Sequence, residues 1–229
     1  MIRENYFHVK TAVRRAEEES SFRQKVTLVA VSKTHPSSDI LEVYQEGQRD
    51  FGENKVQELV QKYEELPDDI RWHMIGHLQT NKVKYIIDKV CLIHSVDSLK
   101  LAQAIDKEAR KHDICMPVLI EVNIGAEDSK SGISAEELPE LIRDISCLKN
   151  ISVQGLMCIP PVVSDPEDAR NYFQTLRNLS IDIKRRNIDN IQMDILSMGM
   201  SDDYLTAISE GATIVRVGTS IFGMRDYKK

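Results

Sequence analysis

Short apolar segments alternate with helical segments along almost the whole chain, and this alternation constrains the fold most. From Val26 onward the pattern predicts eight strands with seven helices between them. Strands 1 and 5 are almost entirely apolar, which is typical of parallel strands covered by helices on both faces. The predicted strands are Val26–Val31, Asp50–Gly52, Arg71–Ile75, Cys91–Ser95, Met116–Val122, Ile151–Met157, Ile195–Met198 and Thr213–Val217.

Eight such units can close into a barrel or open into a doubly wound sheet. The length of 229 residues favours closure, because barrels of this kind usually need about 200–250 residues. None of the predicted strands is conspicuously charged, and Pro117 is the one proline within them, so no strand is marked as an exposed sheet edge. Before the first strand, Ile2, Tyr6, Val9 and Val13 form the apolar stripe of an amphipathic helix. We therefore predict an α/β fold for residues 1–229: a single-domain (β/α)8 TIM barrel with an added N-terminal helix.

Composition and charge exclude several classes of function. Lys and Arg number 30 against 36 Asp and Glu, so the formal net charge of −6 gives no attraction to nucleic acid or to an anionic membrane. The longest apolar runs are too short to span a bilayer. Cys91, Cys115, Cys147 and Cys158 form no CxxC pair, so we expect reduced thiols in the core and a cytoplasmic location.

The polar residues of chemical interest follow the predicted strands, at the end of a barrel where active sites lie. Lys33 directly follows the apolar first strand. An amine held between apolar walls has a lowered pKa and becomes a nucleophile toward carbonyl groups. The alternative is an ordinary solvated lysine.

Two small, hydroxyl-bearing loops follow strands 7 and 8, at Ser197–Asp203 and Val217–Ser220. These are the two positions where barrels commonly bind phosphate, although each loop alone could simply cap a helix. Arg216 lies within the apolar eighth strand, so its guanidinium needs a carbonyl, a ligand or a carboxylate as partner.

Metal chemistry is a weaker alternative. The histidines His35, His73, His77 and His94, with Glu53 or Glu121, could supply zinc ligands. No HExxH motif occurs, so we favour core or surface roles for them and predict no metal. Neither GxGxxG nor GxxxxGK occurs. A reactive lysine, a phosphate site and a buried arginine together indicate a phosphate-bearing aldehyde held as a Schiff base, and pyridoxal 5'-phosphate is the obvious candidate.

Six sequence strings occur in an order that resembles the YggS/PROSC family of pyridoxal phosphate homeostasis proteins. The resemblance covers almost the whole chain, as far as Ile221–Gly223. The strings are Ala30–Thr34, Phe51–Glu58, Trp72–Gln79, Gly155–Met157, Leu196–Asp202 and Val215–Thr219.

This resemblance implies a barrel like the N-terminal domain of alanine racemase, with Lys33 forming the internal aldimine. It also implies that Arg216 faces the pyridine nitrogen. Some members carry a second lysine where this chain has His35, so a role for that position in proton transfer or as a second amine stays open. The remaining implied cofactor contacts are Ser201, Gly218 and Thr219 at the phosphate, with Asn54, Ser197 and Met200 lining the cofactor.

An arginine opposite the ring nitrogen would donate a hydrogen bond and keep that nitrogen unprotonated, which weakens the electron sink that carbanion chemistry needs. The chain also stops soon after strand 8, so we expect no second domain to supply a racemase's other base. The expected function is a monomeric pyridoxal phosphate carrier with little or no turnover, serving recipient apoenzymes. The alternative is an amino-acid racemase or lyase.

Overall fold

Eight parallel strands close on themselves in chain order to form a barrel. The structure is a computed structural model, and it describes residues 1–125 and 131–224. The strands are β1 (Thr27–Val31), β2 (Asp50–Glu53), β3 (Arg71–Met74), β4 (Val90–Val96), β5 (Met116–Val122), β6 (Ile151–Cys158), β7 (Ile191–Ser197) and β8 (Ile214–Val217).

Helices connect the strands, and one more helix precedes the barrel. A 3-10 helix at Thr80–Tyr85 forms the connection from β3 to β4, and a second, Pro166–Ala169, leads into the helix after β6. The α-helices are α1 (Ile2–Glu19), α2 (Ser37–Gln45), α3 (Val56–Glu65), α4 (Leu99–Lys111), α5 (Leu138–Ser146), α6 (Arg170–Lys184), α7 (Tyr204–Ser209) and α8 (Thr219–Phe222).

The closed barrel confirms the fold predicted from the alternating pattern, including the short second strand. The seventh strand differs, because it begins at Ile191 rather than Ile195. Met193 is buried while Gln192 and Asp194 are exposed, so the first half of this strand shows one apolar face and one polar face. The prediction looked for continuous apolar runs and therefore missed a half-exposed segment.

The apolar core has two parts, as a barrel with surrounding helices requires. A large cluster packs the outer faces of the strands against the helices. A smaller cluster fills the barrel interior and consists of Val29, Leu92, Leu119, Met157 and Ile214. The interior is therefore packed with side chains, and the chemistry is confined to the ends of the strands.

The N-terminal helix lies outside the barrel, as its stripe of apolar residues predicted. Tyr6, Val9 and Val13 are buried against α2, α7 and α8. The Tyr6 hydroxyl is 3.2 Å from Gln48 Oε1, and Gln48 Nε2 donates to the carbonyls of Leu28 and Asp50, each at 2.6 Å. These bonds attach α1 to the first two strands.

The cysteine prediction is partly wrong. Cys158 is buried and Cys91 is partly buried, but Cys115 and Cys147 are exposed, although all four thiols are free. Cys115 precedes β5 and Cys147 caps the end of α5. Apolar neighbours in the sequence therefore did not mean burial, because both residues lie where the chain turns at the surface. No helix in the described residues is long and apolar enough to cross a membrane.

Gly155 allows β6 and β7 to lie close together where the register of their pairing shifts. A side chain at this position should therefore lower the stability of the protein. The register shifts between Val153 and Gly155, and a Cβ at Gly155 would overlap the Ile195 carbonyl oxygen. We expect Gly155→Ala to lower the free energy of unfolding by about 3 kcal/mol, because the two strands must separate. The matched control Ser152→Ala, on the same strand, should change it by less than about 1 kcal/mol. Urea denaturation measures both, and equal stability of the two variants would contradict this account.

Candidate functional site

A pocket of about 210 Å³ lies at the carboxyl ends of the strands. It is formed mainly by the segments that follow β1, β2, β7 and β8, and it contains seven of the eight residues predicted from the sequence. The eighth, Ser197, is fully buried and bonds to Arg216 from below. The residues lining the pocket are Val31, Lys33, Asn54, Ile75, Ile159, Met200, Ser201, Asp202, Arg216, Gly218 and Thr219.

A tight turn at the end of β1 presents Lys33 to the pocket, where it is partly buried. The His35 amide donates to the Ser32 carbonyl at 3.1 Å. Thr34 has a φ of 70°, which is unusual for a β-branched residue, and its amide donates to the Glu58 carboxylate. The turn therefore uses a strained backbone conformation, held by a side chain of α3.

The loops after β7 and β8 meet at Ser201. Its Oγ accepts hydrogen bonds from the backbone amides of Gly218 and Ser220, both at 3.3 Å. A Cβ at Gly218 would lie 3.1 Å from the Val31 carbonyl oxygen, so a residue without a side chain suits this close approach to β1. Two backbone donors thus converge on one oxygen acceptor at the edge of the pocket.

Arg216 is almost fully buried and its guanidinium binds neutral oxygens. Nη1 donates to the Ser197 carbonyl at 2.7 Å and to Ser197 Oγ at 2.6 Å, and Nη2 donates to the Cys158 carbonyl at 2.8 Å. The described residues include no ion pair to this guanidinium within 4.0 Å. Burial lowers the pKa of Arg216, while Glu121 and Asp203 act in the opposite direction.

The four histidines considered as metal ligands have separate partners. Within residues 1–125 and 131–224, no three His, Cys, Asp or Glu side chains are grouped to hold a metal ion. His35 stacks on Phe222 with ring centroids 5.0 Å apart, and its Nδ1 is 3.3 Å from Asp39. His77 lies 3.6 Å from Asp97, whereas His73 and His94 bond to each other inside the barrel.

A buried lysine beneath the pocket was missed by the sequence analysis. Lys62 is 4% exposed, and its Nζ donates to the Ser32 carbonyl at 2.8 Å and to Glu53 and Glu58 at 2.7 Å each. The ends of β1 and β2 are thereby held to α3. Lys62 follows Val56 and Leu59 at helical spacing on the buried face of α3, which is the one sequence signal that could have revealed it.

Burial controls the acid–base properties of two carboxyl groups near the pocket. It raises the pKa of Glu53, and the opposing effects of Lys62 and Ser32 are smaller. Burial together with the charge of Asp97 raises the pKa of Glu121 to about 7, against the lowering effect of Arg216. Glu121 therefore titrates near neutral pH beside the guanidinium.

The pocket fits a phosphate-bearing aldehyde. Asn54 Oδ1 is buried and has no hydrogen-bond partner among the described residues, so it can accept a hydrogen bond from a ligand. The amides that converge on Ser201 Oγ show that this corner of the pocket binds oxygen acceptors. Lys33 supplies an amine and Arg216 supplies a fixed hydrogen-bond donor, so the donor set matches an aldehyde, a phosphate and a ring acceptor.

Comparisons with known proteins agree on fold and family. The family "Alanine racemase, N-terminal domain" matches residues 8–226. A pyridoxal phosphate homeostasis protein of Aquifex aeolicus is 51% identical over 201 residues, which are 87% of this chain and 87% of the relative. The structure of PipY from Synechococcus elongatus with PLP bound is 32% identical with a TM-score of 0.84, covering 97% of this chain and 100% of PipY. A Clostridium difficile alanine racemase is 16% identical with a TM-score of 0.73, covering 98% of this chain and 58% of the racemase, and it supports the fold alone.

The fold and the pocket define a parallel barrel protein of the alanine racemase N-terminal type, with its polar site at the carboxyl ends of the strands. The identity with full-length relatives narrows this class further. The chain belongs to the family of pyridoxal phosphate homeostasis proteins.

The Lys62 cluster generates a prediction about stability. Lys62→Met should lower the free energy of unfolding by about 3 kcal/mol at pH 8, because it leaves the Glu53 carboxylate buried without its cation. Burial already raises the pKa of Glu53, and removal of Lys62, which lowers it, raises it further, so the added penalty appears as the pH rises above the wild-type pKa of Glu53 and grows with pH. The loss should therefore be smaller at pH 5, as measured by urea denaturation at both pH values.

Two controls test the cause of this loss. The exposed Lys100→Met should change the free energy of unfolding by less than about 0.5 kcal/mol. Adding Glu53→Gln to Lys62→Met should restore part of the stability, because no unpaired charge is then buried. A loss that is the same at pH 5 and pH 8 would argue against an uncompensated carboxylate.

Proposed function

We propose that the chain binds pyridoxal 5'-phosphate in the pocket at the carboxyl end of the barrel. It holds the cofactor reversibly through Lys33 and acts in intracellular cofactor homeostasis with little or no turnover. The observation that carries this proposal is the meeting of Lys33, Arg216 and the paired amides at Ser201 in one small pocket. PipY resembles this chain over its full length, and its structure with PLP bound supports the same ligand here.

Each group in the pocket has a part in binding. The Lys33 amine condenses with the aldehyde to form a C=N bond and releases one water molecule, so the cofactor is held as a Schiff base. Ser201, Gly218 and Thr219 bind the phosphate. Arg216 donates to the ring nitrogen, which is a neutral acceptor. Asn54 and Met200 line the cofactor, and Ser197 acts from below by holding Arg216.

Arg216 favours a carrier over an enzyme. Three hydrogen bonds to Ser197 and Cys158 fix the position of its guanidinium. A guanidinium can donate hydrogen bonds but cannot accept them. A ring nitrogen facing it stays unprotonated, which disfavours the carbanion chemistry of racemases and lyases. The alternative function, an amino-acid racemase, has no further support. The solved Clostridium difficile racemase shares 16% sequence identity with this chain, so the likeness concerns the fold alone.

The same proposal includes the domain organisation, the oligomeric state, the cellular location and the partners of the protein. Residues 1–229 form one cofactor-binding barrel domain that works as a monomer in the cytoplasm, where its four free thiols stay reduced. Recipient apoenzymes take the cofactor from it. Reversible binding suits this role, because hydrolysis of a Schiff base returns the intact aldehyde.

The assignment of Lys33 is tested by spectroscopy and peptide mapping. Protein loaded with pyridoxal 5'-phosphate should be yellow, and borohydride should fix a pyridoxyl label on Lys33. Lys33→Ala should lose the colour and the label while retaining the fold, because the residue is only partly buried. The control Lys55→Ala, which changes an exposed lysine beside Asn54, should retain both. A dominant label on another lysine would overturn the assignment.

Turnover separates a carrier from an enzyme. Loaded protein assayed with single amino acids for racemisation, decarboxylation and elimination should show kcat well below about 1 s⁻¹, under the usual range for enzymes. A well-characterised alanine racemase under the same conditions is the positive control. A kcat of about 10 s⁻¹ on any one amino acid would establish an enzyme instead.

A further inference from the structure

A continuous hydrogen-bond chain lies across the barrel interior and ends at Arg216. Asp50 Oδ1 is 3.0 Å from His73 Nε2, and His73 Nδ1 is 2.9 Å from His94 Nε2. His94 Nδ1 is in turn 2.9 Å from Ser197 Oγ, which accepts from Arg216 Nη1 at 2.6 Å. This series of hydrogen bonds joins Asp50, at the start of β2, to Arg216 at the floor of the proposed cofactor pocket.

The hydrogen-bond chain is buried, and only its Asp50 end lies near the protein surface. His94 and Ser197 are completely buried, and His73 is 4% exposed. Asp50 is also bound by the Arg71 guanidinium, whose side chain is 57% exposed. Every nitrogen of the two imidazole rings bonds to a member of the chain, so a change of protonation at one member alters the hydrogen-bond donors at the others.

We propose that Asp50, His73, His94 and Ser197 form a proton-ordered relay, in which the protonation state of His73 sets the direction of the hydrogen bonds that reach Arg216. The three members before Ser197 are positioning residues, because they act on Arg216 through Ser197. The relay exists in the protein without ligand, and only its effect on the cofactor rests on the proposed function.

With neutral His73, the donors have one consistent direction. The ionised Asp50 carboxylate can only accept, so His73 carries its hydrogen on Nε2 and accepts at Nδ1. His94 then carries its hydrogen on Nε2 and accepts from the Ser197 hydroxyl at Nδ1. Arg216 donates to Ser197, so every bond runs from Arg216 toward Asp50. Bonds aligned head to tail in this way strengthen one another.

With protonated His73, the direction reverses in half of the chain. His73 donates from both nitrogens, so neutral His94 accepts at Nε2 and carries its hydrogen on Nδ1. Ser197 Oγ then accepts from both His94 and Arg216, and its own hydrogen no longer points at His94. The hydroxyl oxygen has two lone pairs and can accept both bonds, but it no longer donates onward, so the Arg216 bond loses the strengthening that head-to-tail alignment gives and the guanidinium is held less firmly.

The surrounding charges allow His73, but not His94, to gain a proton. Burial by itself lowers the pKa of His73, but Asp50 and the Cys91 thiol raise it to about 9. Burial, His73 and Arg216 all lower the pKa of His94 far below its usual value. The titratable and charged groups that face this pair are thus Asp50 with its partner Arg71 and the Cys91 side chain next to His73, and Arg216 next to His94. His94 therefore remains neutral and can change only its tautomer.

The decisive experiment follows histidine tautomers in the ligand-free, full-length protein. Two-bond ¹H–¹⁵N spectra are recorded from pH 6 to 10, with His73 and His94 assigned by single substitutions. His94 should change from the Nδ1–H tautomer to the Nε2–H tautomer as pH rises, with the midpoint of His73 deprotonation near pH 9. The Arg216 ¹³Cζ signal should shift at the same midpoint. A single His94 tautomer across the range in which His73 titrates would overturn the relay.

Two variants test the connection. Asp50→Asn should lower the His73 midpoint and the His94 change together by at least about one pH unit, because the carboxylate that favours the imidazolium is lost. The control Asp69→Asn removes the same charge from a surface carboxylate bound to Arg49, and it should leave both midpoints unchanged. Ser197→Ala should leave a titrating His73 but abolish the shift at Arg216. A persistent Arg216 shift in this variant contradicts transmission through Ser197.

Loading with pyridoxal 5'-phosphate separates this inference from the proposed function. If Arg216 contacts the cofactor, loading must move the His73 midpoint, because linkage is reciprocal. A tautomer change in free protein that loading does not move would support the relay and reject the placement of the cofactor against Arg216. Absence of the change in free protein would reject the relay whatever the cofactor does.

Discussion

The burial of the Arg216 guanidinium is the constraint on which the arrangement of the site depends. A cation inside a barrel is costly unless its hydrogens are bound, and here the acceptors are oxygens of Ser197 and Cys158 at the ends of β7 and β6. Three neighbouring strands, β6, β7 and β8, are thus fixed relative to one another at their carboxyl ends. The loops that continue from β7 and β8 inherit this alignment, so Ser201 in the first loop can accept hydrogen bonds from two amides that follow β8, those of Gly218 and Ser220.

The barrel interior contains a cluster of apolar side chains and a row of hydrogen-bonded polar side chains, and the two have different roles. Val29, Leu119 and Ile214 belong to the apolar group that keeps the interior closed. His73 and His94 are buried polar side chains of β3 and β4 in the same barrel. Their presence costs desolvation, which hydrogen bonds must offset at every nitrogen. A row of polar side chains that is hydrogen-bonded at every ring nitrogen and leads to the proposed cofactor pocket is better explained by function than by stability alone.

The barrel and much of the pocket could be predicted because both depend on position along strands. Lys33 and the two loops near Ser201 were found because they directly follow apolar strands, and barrel topology brings such positions together. Lys62 was not found, since its partners come from β1, β2 and its own helix, and no local pattern encodes that meeting. The His73–His94 bond depends on the register between β3 and β4, which one sequence does not specify. Cys115 and Cys147 were misplaced because hydrophobic neighbours do not determine which side of a turn faces solvent.

The Lys62 cluster has a consequence for chemical selectivity. Two amines flank the end of β1, and a free aldehyde reacts with any amine that offers a lone pair. The Lys62 nitrogen directs all three of its hydrogens to oxygens of Ser32, Glu53 and Glu58 and is closed to solvent. It is thereby protected from acylation and imine formation, although it lies beside the pocket. The fold thus discriminates between two chemically identical groups by burial and hydrogen bonding, and a reactive carbonyl compound entering the pocket finds Lys33 as its target.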